Sequence, residues 1–457
     1  MSPGDRQDTG IGITEELAGF AVNFESQAIP SQVRHQAARC LVNWAGCALG
    51  GARHPALSRA LTALQPFAGA PKATLIGRSE RVDALHAALL NGISSHVLDF
   101  DDTHLATLIH PSGPVLPALL ALTQHHRIDG RTFVDSIACG IEVECRIGLG
   151  IYPAHYDIGW HITGTVGGFG AAAAAGRALR LDAQQMAWAL GIAATQAGGL
   201  REMFGTMCKS LHPGRAAQSG LSAALMAAAG FTSSTRAIEA PRGFAHVLST
   251  GQDFDAMRDG LGETWETLSN SFKPYACGLV IHPVIDGCIS LRKHYGFDPQ
   301  SIEGIVLHVN PLVLELTGKA APQTGLEGKF SVYHSAAAVL IDGFASSRQY
   351  SDAAVRDPVA TALRQRVVAE VDPSIRKDEA RIEIRLRDGR VLTHHVVHAL
   401  GSKERPMSDE DLSAKFRDLA EGVLPAAQVE EALALCWNAD SLPDAAVIAE
   451  RLGLRPD

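Results

Sequence analysis

Apolar positions recur at helical spacing through most of the first 268 residues. Ala84, Leu85, Ala88, Leu89 and Leu98 fall on one face of a helix predicted over about 82–98. Thr14-Glu15-Glu16-Leu17 reads as an N-cap opening a helix to about Phe24. Ser31 reads as the cap of a second helix to Leu49, ended by Gly50 and Gly51. Further helices are predicted over 117–126, 132–147 and 182–196, and over an Ala-rich stretch that ends near Gly230. A short strand fits 73–76, and the rest to about Leu268 reads as almost wholly helical. Gly164 to Gly170 follows no strand, and no acidic residue closes a dinucleotide-binding unit after it. These small residues are expected to let two helix backbones approach closely.

The pattern changes near residue 270. Residues 302–309 alternate as a strand does. Residues 381–387 and 391–397 flank Asp388-Gly389, which predicts a hairpin with a type I′ turn. Helices fit 282–296, 330–342 and 352–370. From Ser408, with Asp411 placed as in a capping box, helices resume. The expected fold is mostly α: a large all-helical domain over 1–268 plus 400–457, and a smaller α+β lid over 269–399.

At 457 residues the chain is long enough for more than one domain. The segment MSPGDRQDTGIG lacks the apolar stretch of a signal peptide, and no apolar run reaches membrane-spanning length. Eight scattered cysteines include no Cys-x-x-Cys, so they read as reduced thiols of a cytoplasmic protein. The net charge of −9 excludes a basic stripe for nucleic acid. It also means that any site for a polycarboxylate must be a local positive pocket inside a negative molecule.

The candidate chemistry centres on 95–117. Asp99, Asp101 and Asp102 with His96, His104 and His110 fall within 15 residues, where the 82–98 helix breaks. Pro111, Gly113, Pro114 and Pro117 are expected to prevent an immediate regular continuation. One such acid alone would read as a cap. A metal site would need a second acidic cluster or a His-Glu-x-x-His, and neither is present. No metal ligand is therefore assigned.

Leu98-Asp99-Phe100-Asp101-Asp102-Thr103-His104, followed by His110-Pro111-Ser112, resembles the signature of the MmgE/PrpD family. That family includes 2-methylcitrate dehydratases, cis-aconitate decarboxylases and an iminodisuccinate epimerase. Gly205-Thr206-Met207-Cys208-Lys209 with Leu211-His212 and Gly214-Arg215-Ala216-Ala217 is similar to its lysine loop. Phe272-Lys273-Pro274-Tyr275-Ala276-Cys277-Gly278 with His282-Pro283 is similar to its second lysine motif. Gly159-Trp160-His161 with Gly164-Thr165, Gly328-Lys329-Phe330-Ser331, and Arg405-Pro406-Met407-Ser408 with Lys415-Phe416 resemble further motifs. Together they span about 15–420. The resemblance implies a helical domain plus an α+β lid, a homodimer, an active site between the two parts, and no metal or organic cofactor. It places Asp99, Thr103, His110, His161, Lys209 and Lys273 on active-site positions. Two departures stand out. Family members often carry Phe-Ser-x-x-Tyr; here His334 takes the tyrosine's place and Tyr333 lies one earlier, which points away from cis-aconitate decarboxylation. Asp101 stands where true 2-methylcitrate dehydratases have Asn.

The residue types make chemical sense without the name. Removing a proton α to a carboxylate puts charge on its oxygens, so a positioned base and fixed cations are required. Lys209 and Lys273, with Arg201 or Arg215, can clamp carboxylates. His161 or His110 can move the proton. Asp99 can fix a histidine's tautomer. Thr103, His212, Tyr333 and His334 are candidates for substrate contact, although His212 and His282 precede prolines and can equally only hold loops. The leading reading is a cofactor-independent lyase, dehydrating a small di- or tricarboxylate. An epimerase of a dicarboxylate such as iminodisuccinate shares the abstraction step. A non-enzymatic helical binding module and, more weakly, a metal-dependent hydrolase are the readings from other classes.

Overall fold

The computed structural model describes residues 11–454. The predicted absence of a leader concerns residues that lie mostly outside these. The chain opens with α1 (Ile13–Asn23), α2 (Ser31–Gly51) and α3 (Pro55–Leu64), then a minimal antiparallel pair, β1 (Ala73–Thr74) and β2 (Arg81–Val82). α4 (Ala84–His96), capped by Asp83, leads into the acidic loop, which contains β3 (Thr103–His104). There follow α5 (Ser112–Thr123), α6 (Gly130–Leu149), α7 (Ala154–Asp157), α8 (Ile162–Ala178), α9 (Ala183–Ala194) and α10 (Cys208–Ala228).

Several expectations are corrected here. Thr14 does not cap α1. Gly12 does, and the Thr14 hydroxyl donates to Glu239 Oε2 at 2.6 Å. Ser31 is the first helical residue after Pro30 rather than a cap. α2 ends at Gly51, two residues past the expected Leu49; a Cβ at Gly51 would lie 1.9 Å from the Ser94 carbonyl oxygen, so the same glycine admits α4. The prolines do not delay α5. Pro114 sits in the first turn, where an N–H has no partner anyway, and Pro117 forfeits one bond. The expected close approach of helices at Gly164–Gly170 holds: these residues lie inside α8, and a Cβ at Gly167 would lie 2.6 Å from Pro114 Cγ. Residues 229–268 are less helical than expected, holding only α11 (Phe244–Leu248), α12 (Phe254–Arg258) and a short 3-10 turn.

β4 (Asn270–Ser271) pairs with β3. Beyond it come α13 (His282–Tyr295), β5 (Ile302–Val309), α14 (Pro311–Thr317), α15 (Gly325–Gly328), α16 (Val332–Asp342), α17 (Asp352–Arg356) and α18 (Pro358–Arg364). β6 (Val367–Val371) occupies residues expected to be helical, because a valine-rich run pairs in parallel with β5. β7 (Ala380–Leu386) and β8 (Val391–Val396) complete a four-stranded sheet of order β6-β5-β7-β8. The hairpin turn is not type I′. Of its residues only Gly389 has positive φ, at 86°, and its N–H closes on the Leu386 carbonyl, giving a type I turn followed by a left-handed glycine. α13 and α16 pack beside this sheet. α19 (Asp409–Ala420), α20 (Ala426–Trp437) and α21 (Ala446–Leu452) then return to the helices, α19 lying along α2. One apolar core runs from α2, α4 and α5 into the sheet; a second joins α1, α6, α8 and α9. The fold is thus mostly α, with a smaller α+β part.

Candidate active site

The site begins where α4 ends. Asp99 adopts left-handed backbone with φ 51°, a conformation that costs a non-glycine residue about 1–3 kcal/mol. Pairing of Thr103 with Ser271 and of His104 with Asn270 ties this loop to the segment that carries Lys273. Lys273 Nζ consequently lies 3.3 Å from Asp99 Oδ1 and donates to the Asp99 carbonyl at 3.1 Å. Lys209, in the first turn of α10, donates to the same Oδ1. All three side chains are buried. Burial pushes the Asp99 carboxyl up, but the charges of Lys209 and then Lys273 outweigh it and hold the group well below the usual carboxylate range. Lys209 is itself pulled down by burial, against the opposing pull of Asp99.

Three histidines surround this triad. His96 Nδ1 lies 2.6 Å from Asp101 Oδ2, and its Nε2 lies 3.0 Å from Lys209 Nζ. A neutral His96 that donates to Asp101 and accepts from Lys209 satisfies both contacts. His110 Nδ1 donates to the Asp102 carbonyl at 2.8 Å, with Thr103 Oγ1 at 3.2 Å, which fixes the tautomer and frees Nε2. His161, at the entrance to α8, shares a 2.9 Å contact with His212 Nδ1, and its buried Nε2 has no partner. Burial pushes His110 down to about 3 and His212 to about 4, and His161 well below the usual imidazole range. Asp102, hydrogen-bonded to Ser112 and Asn270, is raised to about 6 by burial and the nearby Asp101 charge.

Asp99, Thr103, His110, His161, Lys209 and Lys273 all line one cavity of about 50 Å³, closed by Tyr156, Phe204, Leu316 and Phe330. Phe204 and Phe330 stack with centroids 5.5 Å apart, joining the helical part to the α+β part. Five expected contacts are absent from this cavity. Arg201 pairs with Glu315 at 2.7 Å over the Tyr156 ring and lines an outer groove. Arg215 reaches only Gln218. Tyr333 packs against the main core, and His334 Nε2 donates to the Gln349 carbonyl at 2.8 Å. α16, capped by Ser331, turns both side chains away. His212 stands behind His161 rather than in the wall. His96 and Asp101 were not assigned roles from sequence; their place in the same cluster was visible, but not that α4 aims His96 at a lysine 113 positions away.

His96, His110 and His161 can each offer a ring nitrogen within 4.8 Å of the others. A cation there would face the Lys209 ammonium beside His96 Nε2, and Asp101 holds the other His96 nitrogen. Asp378, His398 and Glu404 form another such group among the described residues, on the surface of the α+β part. The glycine-rich stretch, being interior helix, offers no phosphate cradle.

Residues 15–257 match the MmgE/PrpD N-terminal domain, and residues 275–439 the MmgE/PrpD C-terminal domain. The chain is similar to the cis-aconitate decarboxylase of Aspergillus terreus, 28% identical over 96% of each protein. It is similar also to that of Mus musculus, 28% identical over 96% of this chain and 93% of the other. To that of Homo sapiens it is 30% identical over 81% of this chain and 80% of the other. With both domains matched in order and the relatives spanning nearly the whole length, the chain belongs to the MmgE/PrpD family.

Proposed function

We propose that this protein is a lyase acting on a small tricarboxylate, with cis-aconitate decarboxylation as the reaction to test first. Family membership alongside cis-aconitate decarboxylases makes it an enzyme of lyase type. The observation that carries the reading is one buried carboxylate, Asp99, shared by two buried ammonium groups that face two neutral histidines. Lys209 and Lys273 hold substrate carboxylates as charge-assisted partners. Loss of carbon dioxide from a carboxylate on the saturated carbon beside a carbon–carbon double bond breaks the single bond between that carbon and the carboxylate. Its electron pair forms a new double bond, the old one shifts, and the far carbon takes a proton. The fixed cations stabilise the charge on the conjugated carboxylate. His110 and Lys209 are the proton donors in reach. Burial pulls both down, and a bound polyanion favours their protonated forms.

A second reading, dehydration, is favoured by His334 and Tyr333, which leave the cavity without the family's tyrosine at that position. A dicarboxylate epimerase is the third, since His110 and His161 stand with ring centroids 6.2 Å apart. NMR in deuterated water with cis-aconitate, 2-methylcitrate, citrate and iminodisuccinate separates them. Carbon dioxide release with one deuterium in the product supports decarboxylation, and deuterium incorporation without elimination supports epimerisation. No turnover of any of the four would sink the reading and favour a binding module.

The reaction is proposed to need no metal and no organic cofactor, which dialysis against EDTA tests; loss of activity restored by a divalent ion would refute it. Division into 1–268 plus 400–457 and 269–399 is likewise proposed, supported by the packing of α19 on α2. First proteolytic cuts elsewhere than near 269 and 400 would count against it. A homodimer in the cytoplasm is the proposed state, with sedimentation as the check. No helix among the described residues is long and apolar enough to cross a membrane.

A further inference from the structure

Two lysines in matched motifs are buried yet stand outside the cavity wall. Lys329 follows α15 in the α+β part, and its Nζ donates to the Leu98 carbonyl at 2.5 Å and to the Ala276 carbonyl at 3.0 Å. Lys415, in the middle of α19, donates to the Phe100 carbonyl at 2.6 Å, the Lys273 carbonyl at 2.8 Å and Asn43 Oδ1 at 2.8 Å. Its Nζ also lies 3.7 Å above the Phe100 ring. Lys273 itself donates to the Asp99 carbonyl. Three consecutive carbonyls, of Leu98, Asp99 and Phe100, therefore each receive an ammonium group, and the three lysines come from three distant segments.

Burying a charge is costly unless partners satisfy it. A lysine that served only as filler would be better replaced by an apolar residue. Each of these two instead donates one bond to the backbone that flanks the left-handed Asp99, and its others to the segment around Lys273 or to Asn43. Lys415 has three acceptors, and only the protonated form has three N–H groups to match them.

We propose that Lys329 and Lys415 are positioning residues of this site. Together with Lys273 they clamp the carbonyls of Leu98, Asp99 and Phe100, and so hold the Asp99 carboxylate between Lys209 and Lys273. The proposal rests on the reading of those three residues as the reaction centre. It also explains why one lysine from the α+β part and one from the returning helices are needed by a loop near residue 100.

The test uses the full chain with Lys329→Met and Lys415→Met. Three quantities are read: turnover of cis-aconitate, binding of tricarballylate (a saturated tricarboxylate), and amide hydrogen exchange resolved by peptide. In each variant kcat is expected to fall about 10- to 100-fold while tricarballylate binding weakens less than about threefold, because geometry rather than the charged wall is lost. Exchange over 98–104 is expected to quicken at least about tenfold, with the interior of α8 unchanged. Wild-type kcat with wild-type exchange over 98–104 would overturn the clamp. So would exchange that quickens equally throughout the chain, which marks a merely structural role. Where a methionine variant does not fold, Lys329→Gln and Lys415→Gln, which keep a neutral donor, are read in the same way. If the wild type turns over none of the carboxylates, the reaction assignment fails by itself, and the exchange data still decide the clamp.

Discussion

Asp99 is a residue asked to do two incompatible-looking things: adopt a backbone conformation that suits glycine, and carry a charge that glycine lacks. Asn tolerates the same left-handed region, so Asp99→Asn isolates the charge. Two buried ammonium groups then lose their shared counter-ion. Turnover is expected to drop at least about 100-fold, as for loss of a charge-stabilising group, measured as kcat on the true substrate. Lys209→Met and Lys273→Met should each cost a similar factor. The double variant should lose less than the product, because the groups act as a unit. The shared carboxylate sharpens the stability side. Either single variant leaves one cation beside Asp99, while the double variant strands a buried charge, a loss of about 3–5 kcal/mol in denaturant unfolding. A double variant as stable as the wild type would contradict this geometry. Much of this site was legible in advance. Asp99, Thr103, His110, His161, Lys209 and Lys273 sat in matched motifs, and the structure puts all six on one wall. Arg201, Tyr333 and His334 misled because sequence gives a residue's type and not its direction. Arg201 is drawn outward by Glu315, and His334 by a backbone carbonyl.

Among the elements, periodicity located the long helices and β5, and it failed where tertiary pairing decides. Val367–Val371 became a strand because β5 offers an open edge, and α5 tolerated its prolines because they fall where few N–H groups are needed. Glycines act at such places too: Gly51 is both the last residue of α2 and its crossing point with α4. A prediction follows from the contrast between two of them. A Cβ at Gly51 would meet the Ser94 carbonyl, whereas a Cβ at Gly304 in β5 would meet nothing within 4 Å. Gly51→Ala is expected to lower the unfolding free energy by at least about 1–3 kcal/mol through overpacking. Gly304→Ala should change it by less than about 1 kcal/mol, in the stabilising direction. Equal urea midpoints for the two variants would show that α2 and α4 are not in contact as described.

For the whole molecule the buried histidines set the response to acid. Burial leads the downward shift in each. His54, His155 and His212 titrate at about 4, and His110 and His282 at about 3. In the unfolded chain the same groups take a proton below about 6.5. The unfolded state therefore binds more protons between these limits, and stability falls as pH drops from about 6.5 towards 4. Asp102 and Glu142, raised to about 6 and about 7, and Glu144, raised by burial, work the other way, because the folded state keeps their protons. The five histidines outnumber them. A thermal midpoint that rose between pH ~7 and ~4.5 would refute this balance.

The lysine clamp has a consequence for how the protein comes into being. Phe100 and Lys415 are 315 positions apart, and Leu98 and Lys329 are 231 apart. A ribosome that has made the acidic loop, α8 and α10 has made every histidine of the cavity and Lys209, but no working site. The Phe100 carbonyl stays without its Lys415 partner until α19 has left the exit tunnel. Contacts so distant along the chain are slow to form and keep intermediates open longer. Catalytic competence is therefore a late event in biogenesis, and a nascent or proteolytically shortened chain that lacks α19 carries the reactive side chains without the geometry to use them.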